Sequence, residues 1–212
     1  MRAAFNGFVA ALVGTGCTLG FDRDLIPTDS CLGENPGAEL FRDDFDGTLA
    51  NWTTVSGAWV LQSSELVQQS DTTTGTLLAV QDVGDDYRVV ATMRRLSGAV
   101  GGAMEIVVRA ASQAAYYQCN WEPETGDLEI QDTALTTPLA QRTLVLADIP
   151  NYSRDQPITM ELEVRGAQLR CCLRELPDAT LTLTSGVYPT GGMGLQTWLL
   201  AAAFDSLRVY AP

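Results

Sequence analysis

The sequence predicts an all-β chain folded as a two-sheet antiparallel sandwich of about thirteen strands. Three observations carry that reading. From Glu39 onward, short apolar runs are separated by Gly, Asp, Ser and Pro. Period-two alternation recurs through these runs, and no stretch keeps a helical period over three turns. The elements follow in order. Candidate strands at 40–45, 57–61, 65–69, 76–81 and 86–95 are such runs. Met104, Ile106 and Val108 then alternate with Glu105, Val107 and Arg109. Tyr117, Cys119 and Trp121 alternate with Tyr116, Gln118 and Asn120, and Gly126-Asp127 turns the chain into Leu128 and Ile130. A candidate at 142–147 precedes the clearest strand, in which Ile158, Met160, Leu162 and Val164 alternate with Thr159, Glu161, Glu163 and Arg165. Gly166-Ala167 returns it along Leu169, Cys171 and Leu173 as a hairpin with one buried and one wet face. Glu161 and Glu163 are therefore expected on a solvated face, and Asp127 and Glu129, after their turn, as ordinary surface charge. Candidates at 179–183, 192–199 and 203–210 close the chain.

Composition narrows the chemistry. Hydrophobic residues make up 46% and charged residues 18% of 212, too apolar for a disordered chain. All 13 basic residues are Arg; there is no Lys and no His, and 26 acidic residues leave a net charge of −13. The missing side chains exclude a His-based triad, an imidazole metal ligand, and a Schiff-base or P-loop Lys. The acidic balance argues against nucleic acid and other anionic partners.

Residues 1–20 hold one Arg, an apolar run from Ala3 to Val13, small residues, and then Cys17. This is the pattern of a secretory signal peptide, whose apolar run falls short of the ~20 residues that span a bilayer. Gly14-Thr15-Gly16-Cys17 resembles the lipobox of bacterial lipoproteins, with Gly14 where that family usually has Leu. The resemblance implies cleavage after residue 16, a lipid on Cys17, and membrane contact only through that N-terminal anchor. Thr18, where Asp would favour inner-membrane retention, implies the outer membrane of the cell envelope. Secretion as a soluble protein is the alternative. Residues 17–38 then read as lipidated N-terminus and tether, and 39–212 as the sandwich.

Setting Cys17 aside leaves Cys31, Cys119, Cys171 and Cys172, an even set that allows three disulfide connectivities. Vicinal Cys171 and Cys172 point to opposite faces of a strand, so each calls for its own partner. Cys171 with Cys119 inside the sandwich, and Cys172 with Cys31 as a staple on the leader, is the favoured pairing. Free buried thiols are the alternative.

Phe41-Arg42-Asp43-Asp44-Phe45-Asp46-Gly47, then Leu49, Asn51-Trp52 and Gly57-Ala58-Trp59-Val60, resemble the opening of the concanavalin A-like lectin and glucanase superfamily of laminin-G-like and laminarinase-like jelly rolls. Phe204-Asp205-Ser206-Leu207-Arg208-Val209-Tyr210 resembles its closing strand. The resemblance covers 39–212 and implies a jelly roll, a fold that hosts binders, glycosidases and inert modules. It also implies that a structural Ca²⁺ would draw on Asp205, with Asp44 or Asp46 as further oxygen ligands. Asp205 falls in phase with Leu207 and Val209, and an inward carboxylate needs a cation or several N–H donors. Hydrogen bonds tying the termini together would serve equally.

The Glu-x-Asp-x-x-Glu motif of laminarinase-type enzymes is absent. A binder that stacks rings on sugar faces would use the residues expected to face outward: Arg109, Tyr116, Gln118, Asn120, Gln196 and Trp198, with Leu195 and Leu199 inward. Trp52, Trp59 and Trp121 are expected in the core. The resulting expectation is a non-catalytic module that binds a glycan or cell-surface polysaccharide. A glycoside hydrolase and a structural or protein-interaction sandwich are the alternatives.

Overall fold

A computed structural model describes residues 29–33, 36–135, 137–149 and 151–212. The expected signal peptide and Cys17 lie outside the described residues. Thirteen strands follow one another: β1 (Glu39–Asp43), β2 (Trp52–Ser56), β3 (Trp59–Gln62), β4 (Glu65–Gln68), β5 (Gly75–Ala79), β6 (Tyr87–Ser112), β7 (Ala115–Glu122), β8 (Asp127–Asp132), β9 (Ala140–Thr143), β10 (Ile158–Arg165), β11 (Gln168–Leu173), β12 (Leu176–Thr184) and β13 (Gly192–Tyr210). All pairings are antiparallel. Single 3-10 turns at Leu49–Asn51 and Leu146–Asp148 are the helical segments among the described residues, and no helix there is long and apolar enough to cross a membrane.

The strands link into one continuous sheet, because β6 and β13 run through both layers of the sandwich side by side. Candidate strands 86–95 and 104–109 are the two halves of β6, and 192–199 and 203–210 those of β13. The first half of β6 and the last half of β13 stand with β10, β11, β12 and β1 in the back layer. The other halves stand with β5, β2, β7, β8 and β9 in the front layer. The β6–β13 register slips four times, and two of the slips, at Trp198/Leu200 and Ala201/Ala202, fall where the pair passes from one layer to the next. Gly98 lies at this corner with φ 141°, and a Cβ there would stand 2.7 Å from the Leu200 Cα. Only glycine fits that approach.

Alternation fills the space between the layers. Met104, Ile106, Val108, Tyr117, Cys119, Trp121, Met160, Leu162, Val164 and Leu169 share one core with Trp52 and Trp59. Cys119 is joined to Cys171 across that core, and Cys31 to Cys172 on the outer face of the back layer. The expected strand at 142–147 ends at Thr143 and gives way to the 3-10 turn, whereas β2 has no counterpart among the expected strands.

The expected wet face of β10 is covered. Glu161 and Glu163 are 0% and 3% exposed, beneath the leader segment 29–33 that the second disulfide clamps down. Arg88, also buried, places Nη2 2.6 Å from Glu163 Oε2, and Arg174 places Nε 2.5 Å from Glu161 Oε1. Ser30 bridges the pairs, donating to Glu161 Oε2 at 2.8 Å and accepting from Arg88 Nη1 at 3.0 Å. Arg88 and Arg170 lie in register with Glu163, and Arg174, just past the end of β11, reaches Glu161, so each buried carboxylate has a guanidinium beside it. The leader is thus packed where a tether was expected, and Gly37 and Ala38 pair with Ala211 at the other terminus.

Candidate functional site

The outer face of the front layer is sunk into a groove of ≈ 590 Å³, within the usual range for small-molecule sites. Strand register builds its floor. Thr76 of β5, Gln196 of β13, Glu105 of β6, Asn120 of β7 and Glu129 of β8 stand directly opposite one another across five strands, forming a transverse row of polar side chains. Each alternates with core residues, so the same pleat that buries Met104, Ile106, Cys119 and Ile130 turns this row outward.

Gln196 organises the row. Its Oε1 accepts from Thr76 Oγ1 at 2.9 Å and from Tyr116 Oη at 2.5 Å, while its Nε2 donates to Gln118 Oε1 at 3.1 Å. Gln131 donates to Glu129. Trp198 stands on the groove's rim with 49% of its surface exposed, the largest apolar group presented to solvent at the site. Tyr116, Gln118, Asn120, Gln196 and Trp198 therefore come together as their phase implies, with all but Trp198 largely buried and the Tyr116 hydroxyl bonded to Gln196. Leu199 does not face the core. A bulge between Trp198 and Leu200, with Leu199 at φ 47°, hands the inward position to Leu200.

Arg109 is not part of the groove. It is 1% exposed, and its guanidinium donates to the Asp85 and Tyr188 carbonyls and to Asp86. Its φ of 50° breaks the alternation where the β6–β7 register shifts, so counting by twos from Glu105 fails there. Glu105, Glu122 and Asp132 line the groove and are missed by the sequence reading, and Glu129, expected as ordinary surface charge, is 6% exposed at the end of the row. Glu105 sits in clean alternation with Met104 and Ile106, which was signal enough to place it outward. Burial pushes its carboxyl up to about 8, with Glu122 and Glu129 adding like charge and the Gln196 amide opposing. Burial likewise raises Glu122 and Glu129. Two acceptors on the floor, Glu105 Oε2 and Asn120 Oδ1, have no hydrogen-bond partner among the described residues.

The carboxylates expected to hold Ca²⁺ do not fit a shared cation. Asp44 is buried enough to resist ionisation, but hydrogen bonds from Arg42 and Arg208 outweigh that and hold it below the usual carboxylate range. Arg42 Nε reaches Asp44 Oδ2 at 2.6 Å and Arg208 Nη2 takes Oδ1, so both oxygens are engaged. Asp46 is exposed. Asp205 owes its phase to a bulge: Phe204 pairs with Met93 and Ser206 with Thr92, leaving Asp205 as the extra residue where alternation resets before Leu207. Among the described residues, the one group of three potential ligands within 4.8 Å is Cys31, Glu161 and Cys172, two of which form a disulfide.

No family model matches the chain, and no curated protein matches it by sequence. Its structure is similar to several solved ones. The carbohydrate-binding module CBM66 from Bacillus subtilis aligns with TM-score 0.65 and 17% identity, over 76% of this chain and 96% of that one. The exoplasmic/lumenal domain of VIP36, solved bound to Ca²⁺ and Man3GlcNAc, aligns at 0.60 and 12% over 84% and 91%. The β-glucanase of Bacillus licheniformis aligns at 0.59 and 12% over 84% and 100%. Identities this low speak to fold alone, and the fold is the concanavalin A-like jelly roll of lectins and glucanases.

Proposed function

We propose that the chain is a non-catalytic glycan-binding module whose site is the front groove. The observation that carries this is the transverse polar row running from Thr76 to Glu129, with Trp198 exposed on the rim beside it. Amides and carboxyls at the floor bond sugar hydroxyls, while the indole offers its face to a pyranose ring. Solved structures of similar fold include a carbohydrate-binding module and the VIP36 exoplasmic/lumenal domain with bound Man3GlcNAc, which supports a glycan-related role. In the same proposal the N-terminal residues export the module and hold it at the cell envelope by a lipid on Cys17. Metabolic labelling with a radioactive fatty acid, lost in Cys17→Ser, tests that part.

Hydrolysis is the competing reading, since Glu105 is a carboxyl protonated at neutral pH. Retaining glycosidases set two carboxyls about 5–5.5 Å apart. Here Glu105 and Glu129 are held on strands separated by β7, with Asn120 between them. A glycan array on the whole chain is expected to show binding that Trp198→Ala weakens about tenfold or more, the worth of a buried-aromatic contact. Released reducing ends from a bound polysaccharide would transfer the assignment to the hydrolase, and an array blank for every sugar would transfer it to a protein-interaction role.

A further inference from the structure

We propose that the groove selects glycans bearing free amino groups over their neutral and acidic counterparts. Resting on the glycan reading of the groove, this specifies the charge of what binds there. Among the described residues the lining includes Glu105, Glu122 and Asp132, with Glu129 in the same row as Glu105, and no arginine. The donors that hold these carboxylates are neutral. Thr125 donates to Glu122 at 2.9 Å, the Tyr188 hydroxyl to Asp132 at 2.7 Å, and the Gln131 amide to Glu129.

The floor also has a directional bias. The Thr76 and Tyr116 hydroxyls are spent on Gln196, the Gln196 amide bonds Gln118, and the Gln118 amide leans on Gln131. What is left over is acceptors: Glu105 Oε2 and Asn120 Oδ1, on residues 1% and 4% exposed that lie directly opposite each other on β6 and β7. Once Glu105 gives up its proton, a group that completes this floor must donate. A sugar ammonium brings three N–H donors and a positive charge, and its bonds to carboxylates are the charge-assisted kind. Trp198 on the rim adds a face suited to a cation as well as to a pyranose. A uronate would add negative charge to a site where burial and mutual repulsion already resist ionisation.

Among the described residues the groups facing Glu105 are Glu122 from β7, Glu129 from β8 and the neutral Gln196 from β13, none of them cationic. An ammonium in the groove lowers the Glu105 carboxyl from about 8, and a proton leaves on binding.

The test is titration calorimetry of the full chain with fully deacetylated chitohexaose, its N-acetylated form, and hexagalacturonate, at a pH below the amine's own pKa. The deacetylated form is expected to bind about tenfold or more tighter than the acetylated one, and hexagalacturonate to be weakest, since a hydrogen bond to a charged group is worth that factor. Heats in buffers of different ionisation enthalpy are expected to reveal proton release with the deacetylated form alone. Glu105→Gln, checked for folding by its thermal transition, should bring the two chito-oligosaccharides toward equal affinity and abolish the release. Glu122→Gln, nearer the groove's edge, should narrow the gap partway if the buried variant does not fold. Equal or tighter binding of the acetylated or galacturonate probe overturns the proposal and leaves the groove a glycan site. A folded protein that binds none of the three, and no sugar on an array, removes the glycan reading itself.

Discussion

Glu105 is a carboxyl in a place that discourages charge, and folding registers the fact. Its folded-state value of about 8 lies above the ordinary 4.5, so between those values the folded chain holds a proton that the unfolded chain releases. Stability is then fully present at the acid end of that window and falls as pH rises through it. Glu175, pushed by burial to about 7, acts in the same direction. The urea midpoint is expected to drop as the pH is raised from about 4.5 to 8, and Glu105→Gln to remove part of that slope while Glu175 keeps the rest. A variant whose pH profile overlays the parent's would refute this assignment. The same residue shows how far alternation can be read. Counting by twos from buried neighbours brings out Tyr116, Gln118, Asn120, Gln196 and Trp198, because pleating alone decides which side they face. It fails at Arg109 and Leu199, two non-glycine residues held at positive φ, since nothing in their side chains announces a left-handed backbone. Glu105 was overlooked for a different reason. A glutamate in a half-polar strand reads as wet until the register reveals how many neighbours share its hollow.

At the scale of elements, the leader segment 29–33 is the clearest departure from what composition suggests. Pro27, Pro36 and the turn formers around them read as a tether, yet Cys31 and Leu32 are buried against Cys172 over the arginine–glutamate network of β6, β10 and β11. The disulfide links positions 141 apart in sequence and so closes a long loop of the unfolded chain. Replacing Cys31 and Cys172 together by Ser is expected to cost about 2–4 kcal/mol in denaturant unfolding. It should also open the leader to protease under conditions where the strands stay intact. An unchanged midpoint with a protease-resistant leader would show that packing alone holds it. The vicinal cysteines made this pairing legible, because one strand cannot aim both at the same layer. The ion pairs beneath were not legible. Whether a strand's outer face is solvated depends on what later lies across it, which alternation does not record.

For the whole molecule, the decisive feature is that β6 and β13 belong to both layers. The sequence marks their halves as separate strands, since the bulges and glycines of the corner interrupt each pattern. A sandwich whose layers share two continuous strands has no natural seam. Unfolding followed by tryptophan fluorescence, which reports Trp121 under the front layer and Trp59 nearer the β3–β4 hairpin, and by far-ultraviolet dichroism is expected to give coincident transitions. Separated midpoints would mean that the layers come apart one at a time. Refolding should be slow for a chain this size, as long-range strand pairs dominate its contacts.

The clasped leader gives the module a front and a back. Cys31 enters on the outer face of one layer, and the groove opens on the outer face of the other. The described residues therefore begin behind the groove, and Trp198 looks the opposite way. With the proposed lipid on Cys17, the Cys31–Cys172 disulfide would also set the module's pose, like a handle fixed to the rear of a mirror.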